Sequence, residues 1–136
     1  MDDCIFCKIV AGEIPAQKVY EDDNALAFLD VSPTAQGHTL VIPKKHFENI
    51  FDIDDDDLKE LAVAIKKVSN LIKKNLGATG INIMNNNGVD AHQAVPHLHF
   101  HIIPRLPNDH LLSWPEVEKN YKEENFEEIA KKIRGE

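Results

Sequence analysis

His97-Leu98-His99-Phe100-His101-Ile102-Ile103-Pro104-Arg105 decides how the chain is to be read. On an extended strand alternate side chains share a face, so His97, His99 and His101 stand on one side, roughly 6.6 Å apart along the backbone, while Leu98 and Phe100 go to the other. Packing alone is a poor reason for three imidazoles in register. Histidine has an unperturbed pKa of about 6.5, so near neutrality it can act as base, acid, nucleophile or metal ligand. The stretch therefore reads as a strand carrying a reaction site, with a His-x-His metal site as the competing reading.

Outward from that strand, the pattern is mixed α and β. Lys18 to Glu21 and Ala25 to Asp30 flank the polar turn Asp22-Asp23-Asn24 and predict a hairpin. Gly37 to Ile42, closed by Pro43, predicts a third strand. Leu58, Leu61, Ala62, Ile65, Val68, Ile72 and Leu76 recur at three- and four-residue steps, which predicts a long helix. Asp54 to Asp57 supply an acidic first turn, Lys73 and Lys74 a basic last turn, and Gly77 a stop, all favoured by the helix dipole and C-capping. Gly80 to Asn85 alternates as a fourth strand, and the histidine strand is the fifth. Phe126, Ile129, Ala130 and Ile133 predict a final helix that docks on the body. The expected fold is α+β: a five-stranded antiparallel sheet, a long helix between strands 3 and 4, and a C-terminal helix.

At 136 residues and 15.4 kDa the chain is expected to form one domain, 1–136, with its motifs in 4–105 and an extension over 106–136. Its hydrophobic share of 43% and charged share of 28% are those of a globular protein. No apolar run approaches the ~18 residues of a membrane span, and the acidic start lacks the pattern of a secretory signal, so the expected location is the cytoplasm. A net charge of −8 argues against a nucleic-acid partner. A small anion could still be held by backbone amides, imidazoles, or Lys44, Lys45 and Arg105. The run from Asn86 to Pro96 is also rich in groups able to bind a phosphate, although Asn87-Gly88 can equally mark a simple turn.

Cys4-Ile5-Phe6-Cys7 is a metal half-site or a redox couple in a reducing compartment. Only three residues precede Cys4, whereas a thioredoxin-type pair follows a strand, so metal is the better reading. His46 and His97 would complete a closed Cys2His2 set for zinc.

Taken together, Pro96 to Arg105, the preceding Asn86-Asn87-Gly88 and Gln93, Gly37 to His46, the N-terminal Cys4 to Ile9, Ile14-Pro15-Ala16 and Phe28-Leu29-Asp30 resemble the histidine triad (HIT) family. The likeness is to its Hint-like nucleoside phosphoramidase branch, in its small bacterial and archaeal form, and covers most of residues 4 to 105. It implies a purine nucleotide hydrolase or transferase that attacks the α-phosphate through a nucleotidyl-histidine intermediate. By the same resemblance His99 is the nucleophile, its other ring nitrogen tied to a main-chain carbonyl, with His101 beside the phosphate or leaving-group oxygens and His38 orienting His101. Asp30 corresponds to a ribose-hydroxyl acceptor, and Asn86 and Gln93 to phosphate contacts. Ile5, Phe6, Ile9, Phe28, Leu29 and Val31 correspond to purine-pocket walls, although each could equally be plain core. Cys4, Cys7, His46 and His97 correspond to one structural Zn2+ per chain, and the family fold implies a homodimer.

Two positions depart from the family pattern. Ala94 stands where many relatives carry a hydroxyl that helps manage the leaving-group proton, and His92 replaces a glycine, which points to an unusual backbone angle or an added phosphate contact. An alternative reading is a zinc-stabilised nucleotide-binding or adaptor protein with little turnover. A third reading places a catalytic metal on the triad itself.

Overall fold

A computed structural model describes residues 3–111, 122 and 124–136. Its elements in order are α1 (Ile5–Val10), β1 (Lys18–Glu21), β2 (Ala25–Leu29), β3 (Thr39–Pro43), α2 (Asp55–Leu76), β4 (Gly80–Met84), a 3-10 turn (Val89–Ala91), β5 (Phe100–Arg105) and α3 (Phe126–Arg134). The five strands form one antiparallel sheet in the order β1-β2-β3-β5-β4. The long helix lies between β3 and β4, so the expected α+β architecture holds.

Alternation along the strands gives the sheet two apolar faces. Ala25, Ala27, Val41, Leu98 and Ile102 pack against Leu61, Ala64, Ile65, Val68 and Ile72 of α2. The opposite face carries Leu26, Phe28, Leu40 and Ile42 under Cys4, Phe6 and Ile9 of the N-terminal segment. Each fully buried Leu, Ile or Phe contributes roughly 1.5–3 kcal/mol, so the short α1 is held by its burial, not by intrinsic helicity. Asp54 caps α2 by accepting the Asp57 amide at 2.8 Å, and Gly77 ends it in the left-handed region. Gly37 also needs its freedom, because its φ is +85° and a β-carbon there would meet the Leu76 side chain.

Three expectations need correction. The paired part of the fifth strand begins at Phe100, because the Leu98 amide donates to the Phe47 carbonyl at 2.7 Å and the His99 carbonyl accepts the Asn85 side chain at 2.8 Å, both outside the ladder. Alternation nevertheless continues back through the histidines, with Leu98 in the α2 core. Asn87-Gly88 marks a local turn, in which Gly88, at φ 96°, opens the 3-10 turn. The final helix forms, but none of its residues is buried among the described residues, and Phe126 and Ile133 are 75% and 81% exposed. Finally, Lys44, Lys45 and Arg105 are not spare anion donors, because they pair with Glu21 at 2.8 Å, Asp57 at 3.3 Å and Asp109 at 2.8 Å. Arg105 also reaches Asn82 and the Leu111 carbonyl, so it pins the exit of the C-terminal extension.

No helix among the described residues is long and apolar enough to cross a membrane.

Candidate functional site

The sheet face that carries α1 also carries the histidines. The Asp30 amide donates to the His38 carbonyl at 2.9 Å, which extends the β2–β3 pairing by one step and sets both side chains beside His101, the register partner of Leu40. Backbone groups then fix the hydrogen of each imidazole. A carbonyl can only accept and an amide hydrogen can only be donated, so each contact has a single polarity.

His99 donates from Nδ1 to the His97 carbonyl at 2.7 Å, which leaves a lone pair on Nε2. Ser69 Oγ is the only buried side-chain nitrogen or oxygen without a partner among the described residues. His99 Nε2 also lacks a partner, so it opens to solvent, although the residue as a whole is only 5% exposed. The Phe6 ring meets the His99 ring edge-on, at a centroid distance of 5.2 Å. Burial lowers the His99 pKa, against the opposing pull of the His97 carbonyl and Asp30. The ring is thus neutral near pH 7, as a nitrogen nucleophile must be.

His38 Nδ1 accepts the Thr34 amide at 3.0 Å, so its hydrogen sits on Nε2 and is donated to His101 Nδ1 at 2.9 Å. His101 in turn carries its hydrogen on Nε2, and its ring lies 5.1 Å from that of His99. Burial pushes His101 down to about 4, and His99 and His38 add to that; burial also lowers His38, against Asp30. Asp30 lies 3.4 Å from His38 Nε2, and its other oxygen accepts the Ser32 amide at 2.8 Å. Asp30, His38 and His101 could be taken for a metal triad. The Thr34 amide argues against it, because the His38 nitrogen that faces the other two carries a hydrogen and no lone pair.

His97 is tied the other way round. It donates from Nε2 to the Pro43 carbonyl at 2.9 Å and aims the Nδ1 lone pair at Cys4 Sγ, 3.3 Å away, Cys7 Sγ, 3.5 Å away, and His46 Nδ1, 3.2 Å away. Cys7 Sγ is 3.3 Å from His46 Nδ1. A tetrahedral zinc with Zn–S near 2.3 Å and Zn–N near 2.05 Å has edges of about 3.5 Å for S···N and about 3.3 Å for N···N. The four atoms therefore fit zinc. Burial and the neighbouring Cys4 push the Cys7 thiol up to about 11, and burial holds His97 down at about 4.

The remaining expected residues divide. Phe6, Ile9 and Phe28 are buried in the apolar cluster, whereas Ile5 and Leu29 are partly exposed and Val31 is 96% exposed. Asn86 is free on the surface apart from a long 3.5 Å contact to the His92 carbonyl. Gln93 is spent on the backbone: it donates to the Glu48 and Val95 carbonyls and accepts the Gly88 amide. His92 adopts φ 65°, so the backbone-angle reading of this position is the one the structure bears out. Sequence reasoning missed Asn85 and Asn87. The Ile50 amide donates to Asn87, Asn87 to Asn85, and Asn85 to the His99 carbonyl. The run Asn85-Asn86-Asn87 was the available signal.

The chain is similar to known proteins over most of its length. The model of the HIT domain matches residues 11–108. An uncharacterized HIT-like protein from Methanocaldococcus jannaschii is 50% identical over 133 residues, covering 97% of this chain and 99% of the relative. The adenosine 5'-monophosphoramidase hnt1 of Schizosaccharomyces pombe is 43% identical over 136 residues, covering 96% of this chain and 98% of that protein. A Zn-bound histidine triad family protein from Mycobacterium smegmatis superposes with a TM-score of 0.78 at 39% identity, covering 82% of this chain and 81% of that one.

Proposed function

The chain belongs to the HIT domain family, and from that premise we propose that it is a nucleotide hydrolase or transferase working at the α-phosphate through a nucleotidyl-histidine intermediate. The observation that carries this reading is the His99 Nδ1–H bond to the His97 carbonyl, which leaves the Nε2 lone pair open to an incoming phosphorus. His99 Nε2 attacks, and because Nδ1 keeps its hydrogen the ring of the adduct is cationic, which makes the N–P bond labile to water. His101 donates its Nε2 hydrogen to an oxygen on the phosphorus, and His38 holds it in that tautomer.

Asp30 accepts ribose hydroxyls, and Asn86 contacts phosphate. Gln93 acts through the loop it ties, which carries Gly88 and the 3-10 turn. Ile5, Leu29 and Val31 are the exposed apolar residues available to a purine, with Phe6, Ile9 and Phe28 forming the floor beneath them. Cys4, Cys7, His46 and His97 would hold one Zn2+. With four protein ligands and no open position, the ion would cross-link the N-terminal segment to the histidine strand and leave water unactivated. The single-domain reading over 1–136, a cytoplasmic location and a homodimer formed through a sheet edge belong to the same proposal.

The test is incubation with AMP and GMP phosphoramidates, alkaline quenching and peptide mass spectrometry. A nucleotidyl adduct on His99 is expected. No adduct, together with full turnover in His99→Ala, overturns the reading.

A further inference from the structure

Resting on the reading of His99 as the attacking ring, we propose that Asn85 is a positioning residue for it: a one-way chain of amides, from the loop after His46 through Asn87 to Asn85, holds the His99 carbonyl and with it the aim of the ring.

The His99 carbonyl needs such a partner. Pairing of β4 with β5 ends at Met84 opposite His101, and pairing of β3 with β5 ends at Val41 opposite Phe100, so His99 lies past the end of both ladders. The residue is nevertheless buried, where an unmade carbonyl bond is costly. The Asn85 side chain stands in for the missing strand, with Nδ2 2.8 Å from the carbonyl oxygen.

Polarity along the chain is fixed from its far end. The Ile50 backbone amide can only donate, and it reaches Asn87 Oδ1 at 2.8 Å, which turns the Asn87 NH2 toward Asn85 Oδ1. Asn85 then presents its own NH2 to the His99 carbonyl, which can only accept. All the bonds point the same way, and each strengthens the next.

One loop thus grips the nucleophile's backbone on both sides. Phe47 accepts the Leu98 amide at 2.7 Å, one residue before His99, and Ile50 acts on the carbonyl of His99 itself through the two asparagines. The ring hangs from the Cα between those grips, and its Nδ1 hydrogen is tied to the His97 carbonyl at 2.7 Å. With its root and one nitrogen fixed, Nε2 has a single direction. A displacement of about 1 Å in a reacting group can cost ~100-fold in rate, so this direction matters.

Packing does not explain the choice of residue. Asparagine is disfavoured in strands and its amide must be paired when it leaves water, so an apolar side chain just past β4 would fill the space at lower cost. What Asn85 adds is a directed donor.

The experiment measures kcat and KM for an adenosine phosphoramidate, together with the His99 imidazole signals in long-range proton–nitrogen NMR, in the wild type, Asn85→Ala, Asn87→Ala and Asn87→Asp. Asn85→Ala is expected to lower kcat ~10- to 100-fold with KM changed less than ~2-fold, and to shift the His99 ring signals. Asn87→Asp is the sharper variant. It keeps the shape of asparagine and still accepts the Ile50 amide, but it offers Asn85 only an acceptor, which turns the Asn85 amide over and sets Oδ1 against the His99 carbonyl. It should lose more kcat than the truncation Asn87→Ala. A packing role gives the reverse order, and that order overturns the proposal. So does an Asn87→Asp kcat within ~2-fold of the wild type, even where Asn85→Ala fails to fold. A fall in kcat with the His99 signals unmoved overturns it as well. A wild type inert to the phosphoramidate would instead remove the nucleophile reading, and the His99 signals would then decide alone: unmoved by Asn87→Asp, they overturn the positioning role too.

Discussion

His97 and His99 stand two residues apart on one face of one segment, yet they present opposite nitrogens. His97 gives Nε2–H to the Pro43 carbonyl and turns Nδ1 toward two thiols and a second imidazole; His99 gives Nδ1–H to the His97 carbonyl and turns Nε2 toward solvent. The first set closes on itself with four ligand atoms lying within 4.8 Å of one another, and the second stays open. The difference shows that the backbone partner, not the side chain, decides what each ring can do. One carbonyl selects a metal ligand, and the next selects a nucleophile.

The largest expected effect separates the two regions by activity. His99→Ala should lower kcat for an adenosine phosphoramidate at least ~10³-fold, about 4 kcal/mol in the barrier, and leave zinc content unchanged. Loss of zinc in this variant would mean that the two regions are not independent. Next, Cys4→Ser/Cys7→Ser should abolish the one equivalent of zinc per chain expected by metal analysis. It should also lower unfolding free energy by about 2.7 kcal/mol when zinc would otherwise stand 100-fold above its Kd. An ion retained by that variant would refute the ligand set, and reversible loss of turnover on chelation would favour a catalytic metal.

In the open region the pH dependence of stability runs through His101. Its folded pKa of about 4 lies below the unfolded value near 6.5, so the native state favours the neutral ring. The unfolded chain binds more protons between those values. This stability is therefore fully present above about pH 6.5 and is lost as the pH falls through about 4. With the ring about a fifth exposed, roughly 2 kcal/mol is at stake. Urea midpoints from pH 7 to 4.5 should fall further in the wild type than in His101→Gln, and parallel curves would contradict the shift. The smallest effect belongs to the loop between the regions. His92→Gly removes a left-handed non-glycine residue and should raise stability by about 0.5–1 kcal/mol in urea unfolding, whereas a loss would mean that the His92 side chain makes a stabilising contact.

Much of the scaffold could be read in advance because its causes are local and periodic. The α2 stripe, the Asp54 cap and the Gly77 stop are written within one helix, and the period-two histidines give the face they occupy. The residues that set the tautomers were harder to see. Pro43 lies 54 positions from His97, and Thr34 acts through its amide, which no side chain advertises. Helix α1, with six residues, is too short for a periodic signal and forms because Phe6 and Ile9 find a cluster to enter. The apolar spacing in α3 correctly marked a helix, but amphipathicity says nothing about whether a partner surface is within reach.

Long-range proton–nitrogen NMR of the imidazoles at neutral pH tests the claim that backbone groups give these rings their roles. Hydrogen is expected on Nδ1 of His99 and on Nε2 of His97, His38 and His101, with His99 Nε2 resonating as a bare nitrogen. A hydrogen on His99 Nε2 would contradict the claim, because that ring would have no lone pair to offer a phosphorus atom.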